Sequence, residues 1–106
     1  MKKGEVWWVK FYPSLGGETQ RTHPVVIVSN DAANQFLNRV QVVPLTASVG
    51  KLYPSEAYVT FRRKQSKAMA GQLTAVSKKR LSNRAGLLSA SDLERVNQAI
   101  ATQLDL

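Results

Sequence analysis

The sequence predicts a mainly β, α+β fold, a small barrel of about five to seven strands with one amphipathic helix at its C-terminus. Three observations predict it: short runs rich in Val and aromatic residues recur, Pro and Gly separate these runs, and helical periodicity comes last. The chain has 106 residues and no internal repeat or linker, so we expect residues 1–106 to form a single domain.

The first predicted strand is 5–11. Apolar side chains alternate along it so that both faces are apolar, with Trp7 and Trp8 pointing to opposite sides. This pattern is typical of a central or barrel strand rather than of an edge strand with one wet face. Pro13 ends it, because proline lacks the N–H group that a strand ladder needs.

The elements that follow come from the same patterns of branched, turn-forming and basic residues. Strands are predicted at 24–29, 40–45, 57–61, 67–76 and 84–88. Within the fourth of these, Gly71 is interpreted as a bulge. Helical turns are predicted at 32–37 and 77–81, and a basic turn at 62–65.

The last predicted element is an amphipathic helix at 92–104. Its apolar residues fall on one stripe at helical spacing and are expected to close one face of the barrel: Leu93, Val96, Ile100 and Leu104. Ser91 and Glu94 match a capping box, in which each side chain accepts a hydrogen bond from the other residue's backbone N–H.

The amino-acid composition limits the kinds of partner and site that the chain can have. Fifteen Lys and Arg residues stand against seven Asp and Glu, and the resulting formal charge of +8 favours a polyanionic partner such as nucleic acid. A solvated basic surface is the other interpretation. The chain has no cysteine and one histidine, which argues against disulfides and transition-metal sites. We therefore expect neither a metal nor another cofactor.

Location is also constrained by the sequence. No apolar run is long enough to cross a bilayer, and the basic start of the chain continues into Glu5 rather than into an apolar segment. We expect a cytoplasmic protein that makes no membrane contact.

Reactive side chains gather in residues 16–30. Two glycines open a loop, Glu18, Arg21 and His23 follow, and Pro24 begins an apolar strand. A rigid strand next to a loop is the kind of support that a preorganised reactive group needs. His23 is the only histidine, the residue type that titrates nearest neutral pH.

Read with Gly4-Glu5-Val6-Trp7 before it and Pro44-Leu45-Thr46 after it, this stretch resembles the MazF/PemK toxins of bacterial toxin–antitoxin pairs. The resemblance covers residues 4–106 and depends on the order and spacing of the motifs rather than on any single one. It implies an SH3-like barrel, usually homodimeric, that is silenced by a cognate acidic antitoxin. It further implies a metal-independent endoribonuclease that cuts single-stranded RNA, including mRNA, at specific sequences and leaves 2′,3′-cyclic phosphate and 5′-hydroxyl ends.

The resemblance also implies site residues. In the family, the chief catalytic residue is an arginine just before the Pro that opens the second strand, and a threonine after the third strand binds the scissile phosphate. Thr46 matches that threonine, but His23 replaces the arginine. We therefore expect His23 to act as general acid and base, with Arg21 supplying the cation, since alternate residues of an extended segment point the same way. Glu18 matches a loop glutamate of the family and is expected to act as a base or a loop anchor.

The predicted RNA contacts lie in three polar segments. The contact residues are Ser48, Lys51, Arg62, Arg63 and Gln72. Many relatives carry an acidic residue just before this glutamine, where the present chain has Gly71. Gln72 can still form a hydrogen bond with a base edge, so we expect an altered base preference rather than a loss of cleavage.

Two rival functions remain open. The first is a barrel that binds nucleic acid without catalysis, which the replacement of arginine by His23 favours. The second is a gyrase inhibitor like the CcdB toxins, which share the fold. Their activity relies on C-terminal residues, typically a Trp-Gly-Ile-like tail, whereas this chain ends in Gln-Leu-Asp-Leu.

Overall fold

In the computed structural model of the chain, residues 1–10 and 22–106 are described. They form seven strands, two α-helices and two short 3₁₀ turns. In chain order these are β1 (Glu5–Lys10), β2 (Thr22–Ile27), α1 (Asp31–Phe36), β3 (Arg39–Thr46), β4 (Glu56–Phe61), β5 (Lys64–Met69), a turn at Ala70–Gln72, β6 (Thr74–Ser77), a turn at Lys78–Arg80, β7 (Leu81–Leu87) and α2 (Ala90–Leu104).

The strands form one antiparallel sheet in the order β4-β5-β3-β2-β1-β7. β3 organises it, because β2 pairs along one edge of β3 while β6 and then β5 pair along the other. The sheet curls into a half-barrel that ends in the C-terminal helix. The predicted fold class, a small mainly β barrel of five to seven strands with that helix, is confirmed.

The sheet is apolar on both faces, as the first strand predicted. One face packs against α2 and forms the larger cluster, whose buried members are Val6, Val26, Val43, Leu45, Ala57, Val59, Ala68, Ala70, Leu88, Val96 and Ala99. The other face carries a second cluster formed by Val9, Val25, Ile27, Val40, Val42, Val76 and Leu81. Trp7 packs against the second cluster, so the two sides of β1 serve different cores.

The predicted strand at 67–76 is wrong. It is two strands, β5 and β6, separated by the 3₁₀ turn at Ala70–Gln72. The physical reason is that β3 offers different stretches of one edge to each, with β6 opposite residues 39–42 and β5 opposite residues 45–46. Gly71 lies in the turn that connects them and is not a bulge. The basic turn is likewise shorter than predicted, since Lys64 and Gln65 already belong to β5.

The predicted capping box of the last helix is also wrong. Ser89 is the N-cap residue, and its Oγ accepts a hydrogen bond from the backbone N–H of Asp92 at 3.1 Å. The helix therefore begins before Ser91. Val96 of the predicted apolar stripe is fully buried, whereas Leu104 at its end is about half exposed. No helix within the described ranges is long and apolar enough to span a membrane.

Candidate active site

His23 and Thr46 lie on the same face and at the same end of the sheet. The pairing of β2 with β3 ends with Val25 opposite Pro44. His23 and Thr46 are each two residues beyond that pair, and alternate residues of a strand share a face. His23 is half-buried and lies opposite Val9 of β1. The structure thus places the two residues on one face at the same end of the sheet, while their shared catalytic role stays a prediction.

Two other predicted catalytic residues, Arg21 and Glu18, lie outside the described residues. Their predicted roles therefore stay predictions. The chain enters the sheet at Thr22, directly after Arg21, so the strand that begins there carries His23 as its second residue.

Thr46 is the last residue of β3 and is half-buried. Its Oγ1 accepts a hydrogen bond from the backbone N–H of Ser48 at 3.2 Å, which fixes the start of the following loop. Since a threonine hydroxyl both donates and accepts, this contact still allows its proton to be donated to a phosphate oxygen. The geometry therefore suits a phosphate ligand.

Lys67 of β5 is a residue of this face to which the sequence reasoning gave no role. It is the Cα partner of Thr46 across the β3–β5 pair and of Tyr58 across the β4–β5 pair. Its Nζ lies 3.0 Å from Oε1 of Glu56 and donates to the backbone oxygen of Lys51 at 3.2 Å. The signal available in the sequence was a lysine between the small residues Ser66 and Ala68 in a strand, where a lysine needs a partner.

Residues 47–55 form a loop beside Thr46, and β4 and β5 hold its backbone. The hydroxyl of Tyr58 lies 3.1 Å from the oxygen of Val49 and 2.8 Å from the oxygen of Gly50. Oε1 of Glu56 accepts a hydrogen bond from the N–H of Tyr53 at 2.8 Å. That bond, aided by Lys67, holds the pKa of Glu56 below its ordinary value of 4.5, although desolvation works against it.

Two predicted RNA contacts, Ser48 and Lys51, lie on this loop and are exposed. The ammonium group of Lys51 lies 5.4 Å from the centre of the Tyr53 ring, within reach of a cation–π interaction. The loop therefore presents a hydroxyl and a cation to solvent next to Thr46.

Arg62 and Arg63 form the two-residue turn between β4 and β5, far along β5 from the loop. Both have positive φ angles, 53° and 65°, as a type I′ turn requires. The guanidinium of Arg62 lies 5.1 Å from the centre of the Trp8 ring and 5.6 Å from that of Phe61. Because Trp8 points away from the face of Val9, the structure does not bring Arg62 together with His23 and Thr46.

Gln72 is exposed at the end of the turn between β5 and β6. Its Nε2 lies 3.7 Å from the sulfur of Met69. A Cβ atom on the preceding Gly71 would lie 3.5 Å from Oε1 of Gln103, an ordinary contact. The turn therefore has room for a side chain at position 71, and the neighbouring Gln72 is exposed.

Glu5 anchors the opposite end of the same face. Burial raises the pKa of its carboxyl group, but hydrogen bonds from the Lys2 N–H and the Trp7 indole outweigh it and leave the pKa below 4.5. Arg84 forms a 3.3 Å ion pair with it. This cluster ties the N-terminus to β1 and β7. Among the residues described, no group of three His, Asp or Glu side chains is arranged to hold a metal ion.

Sequence comparison places these features in a family. The family described as "PemK-like, MazF-like toxin of type II toxin-antitoxin system" matches residues 2–104. The chain is 35% identical to the endoribonuclease MazF9 of Mycobacterium tuberculosis, covering all of this chain and 98% of that protein. It is 25% identical to the endoribonuclease EndoA of Bacillus subtilis, covering all of this chain and 96% of that protein.

Solved structures share the fold. The MazF of a MazE–MazF crystal structure from Deinococcus radiodurans superposes with a TM-score of 0.84 at 21% identity, covering all of this chain and 96% of that one. A mycobacterial endoribonuclease in complex with its cognate antitoxin gives a TM-score of 0.82 at 24% identity, with the same coverage. Together with the family match over nearly the whole length, these similarities show that the chain belongs to the PemK-like, MazF-like toxins of type II toxin–antitoxin systems.

Proposed function

We propose that this chain is the endoribonuclease toxin of a type II toxin–antitoxin pair and cuts single-stranded RNA at specific sequences without a metal ion. Its curated relatives are endoribonucleases, and its family is that of the toxins. The observation that carries the proposal is the placement of His23 and Thr46 on one face at one end of the sheet, beside an exposed loop with a hydroxyl and a cation.

The reaction divides among these side chains. The ribose 2′-oxygen attacks phosphorus while the bond from phosphorus to the 5′-oxygen breaks, which leaves a 2′,3′-cyclic phosphate and a 5′-hydroxyl. His23 takes the proton from the 2′-hydroxyl or returns a proton to the 5′-oxygen, a form of help that contributes roughly 10²–10⁴-fold. Thr46 donates its hydroxyl proton to a phosphate oxygen. Arg21 supplies positive charge to the phosphorane, and Glu18 assists as a base or anchors the loop.

The substrate is single-stranded RNA because unpaired bases expose their edges and faces to a protein surface. Ser48 and Lys51 contact the strand from the 47–55 loop, and Gln72 reads a base edge. Arg62 and Arg63 contact phosphates further along the strand. The formal charge of +8 strengthens attraction to the RNA backbone but reads no sequence.

The partner that silences the toxin is an acidic antitoxin segment, disordered when free, which covers the basic RNA-binding surface through electrostatic and apolar contacts. A related mycobacterial endoribonuclease has been solved in complex with its cognate antitoxin, which supports this part of the proposal. The toxin acts as a homodimer, whose two copies together line the surface that binds RNA.

The test is to incubate the purified chain with long single-stranded RNA in EDTA and to map the ends of the fragments. The proposal predicts cuts at a short recurring sequence with 5′-hydroxyl termini, and loss of those cuts when the cognate antitoxin is added. Fragments that appear only after a divalent metal is restored, or that carry 5′-phosphates, would contradict it.

A second candidate is a barrel that binds RNA without cutting it. The observation that favours it is His23, which stands where the family has its chief catalytic arginine. Intact RNA together with tight, salt-sensitive binding in the same assay would favour this function. Replacing His23 with Arg would then be expected to create cleavage in a chain that had none.

A further inference from the structure

An ion pair between the buried Lys67 and the half-buried Glu56 lies next to the candidate site and belongs to neither apolar core. The side chains of Lys67 and Glu56 are only 11% and 17% exposed, and their charged atoms are 3.0 Å apart. Burying two charges is costly unless each also finds further hydrogen-bond partners. The neighbours Ala57 and Ala68 point to the opposite face and join the core under α2, so the pair stands outside that packing.

The further partners of both charges come from the same loop. Nζ of Lys67 donates to the backbone oxygen of Lys51 at 3.2 Å, and Oε1 of Glu56 accepts from the N–H of Tyr53 at 2.8 Å. The ammonium group of Lys67 also lies 5.9 Å from the centre of the Tyr53 ring. Each member of the pair therefore connects the sheet to the 47–55 loop.

Tyr58 adds a third connection. It is the cross-strand partner of Lys67, and its hydroxyl reaches the oxygens of Val49 and Gly50. The backbone groups of a loop without helix or strand pair with water or with side chains, and here side chains of the sheet supply the partners. Three neighbouring side chains of β4 and β5 thus hold four backbone groups of the loop, which belong to Val49, Gly50, Lys51 and Tyr53.

We propose that Lys67 and Glu56 are positioning residues that hold the 47–55 loop in the shape that binds RNA beside Thr46, and so set RNA affinity and the choice of cleavage site. This inference rests on the proposed function. Thr46 is the β3 residue that lies opposite Lys67 of β5, and it accepts a hydrogen bond from Ser48 at the start of the loop. The end of the strand and the start of the loop are therefore fixed together. Ser48 and Lys51 are then presented outward in a defined arrangement.

The alternative role for Lys67 is direct contact with a phosphate. Its burial and its two protein acceptors argue against that role, because RNA would have to displace Glu56 or the Lys51 oxygen. The two roles differ in kinetics. Loss of a positioning residue that shapes a binding loop raises KM, whereas loss of a transition-state contact lowers kcat.

The test compares Lys67→Met, Glu56→Gln, the double variant and Lys67→Arg with wild type, and uses Lys79→Met as the control for loss of a positive charge at an exposed site. The first measurement is hydrogen exchange at the Ser48 and Tyr53 amides. We expect exchange about tenfold faster in Lys67→Met, the factor that loss of a charged hydrogen bond gives. We expect no change in the control.

The second measurement is cleavage. Lys67→Met should raise KM for single-stranded RNA about tenfold with little change in kcat, and should broaden the set of cut sites. Lys67→Arg should recover part of the loss, because it restores a cation opposite Glu56. The double variant leaves no unpaired buried charge, so its stability should exceed that expected from the two single changes while KM stays high. If the pair served only to stabilise the fold, the double variant would recover the wild-type KM as well as stability.

The outcomes separate this inference from the proposed function. If wild type does not cut RNA, the proposed function fails, and the amide exchange in Lys67→Met still decides whether the pair holds the loop. If wild type cuts RNA but Lys67→Met leaves exchange and cut sites unchanged, the positioning role is wrong. A fall in kcat with KM unchanged would also overturn it, in favour of direct contact.

Discussion

Thr46 lies directly opposite Lys67 in the antiparallel β3–β5 pair, at the point where β3 ends and the 47–55 loop begins. One residue is the expected phosphate ligand and the other is a buried cation tied to Glu56. Directly opposite residues of an antiparallel pair share a face. The expected phosphate ligand and a residue that holds the neighbouring loop are therefore adjacent on paired strands of one sheet.

Thr46→Ala tests the phosphate contact. We expect kcat/KM for single-stranded RNA to fall roughly 10²–10³-fold, as when one donor to a developing charge is removed. The matched control is Thr74→Ala, an exposed threonine of β6 opposite Val42, four residues before Thr46 on β3. Equal rates for the two variants in a fixed-time cleavage assay would remove Thr46 from the site.

The carboxyl group of Glu56 predicts a pH dependence of stability. Its pKa is lowered in the folded chain from its ordinary value of 4.5, so the folded state favours the ionised form. The stabilisation is present above 4.5 and is lost as pH falls through the lowered pKa of the folded state. Urea unfolding at neutral and at acidic pH measures it. Glu56→Gln should lose less stability on acidification than wild type, and an identical loss in both would contradict this assignment.

The N-cap of α2 gives a third prediction. Ser89→Ala removes the acceptor for the Asp92 N–H and should lower the free energy of unfolding by about 1 kcal/mol. Ser91 lies inside the helix and is exposed, so Ser91→Ala should change it by less than about 0.5 kcal/mol. The reverse order in denaturant unfolding would restore the cap that the sequence predicted.

The β4–β5 turn gives a fourth prediction, on the stability of the chain. Arg63 has a φ of 65°, a conformation that costs a residue with a Cβ roughly 1–2 kcal/mol and that glycine adopts freely. Arg63→Gly should therefore stabilise the chain by about 0.5–1 kcal/mol, after the added flexibility of the unfolded chain is counted. Arg62→Gly should gain less, because it also removes the cation over Trp8. A destabilised Arg63→Gly in urea unfolding would show that its side chain makes a contact worth more than the backbone strain.

Much of the fold could be predicted from the spacing of apolar residues along the sequence and from composition. Val6, Trp7, Trp8 and Val9 alternate between two apolar faces, and the two cores follow that alternation. Gly71 was misinterpreted because local sequence does not show that β3 offers its edge to two partners in turn. Ser91 was predicted as the cap because Glu94 follows it at capping-box spacing, and only the packed helix shows that Ser89 is the N-cap residue.

The candidate site was only partly predictable. His23 and Thr46 follow from the family resemblance, and the register of β2 and β3 puts them on one face. Lys67 and Glu56 are eleven positions apart in sequence and meet diagonally across a hairpin whose register the sequence did not define. Which residues face each other across a hairpin depends on the exact position of its turn, so the loop support became visible only in the folded chain.

The single-turnover rate of His23→Ala on single-stranded RNA in EDTA tests whether His23 moves the protons of RNA cleavage. Loss of acid–base help should slow the rate roughly 10²–10⁴-fold while RNA binding changes far less. If His23→Ala cuts as fast as wild type, at the same sites and with the same 5′-hydroxyl ends, His23 does not move those protons.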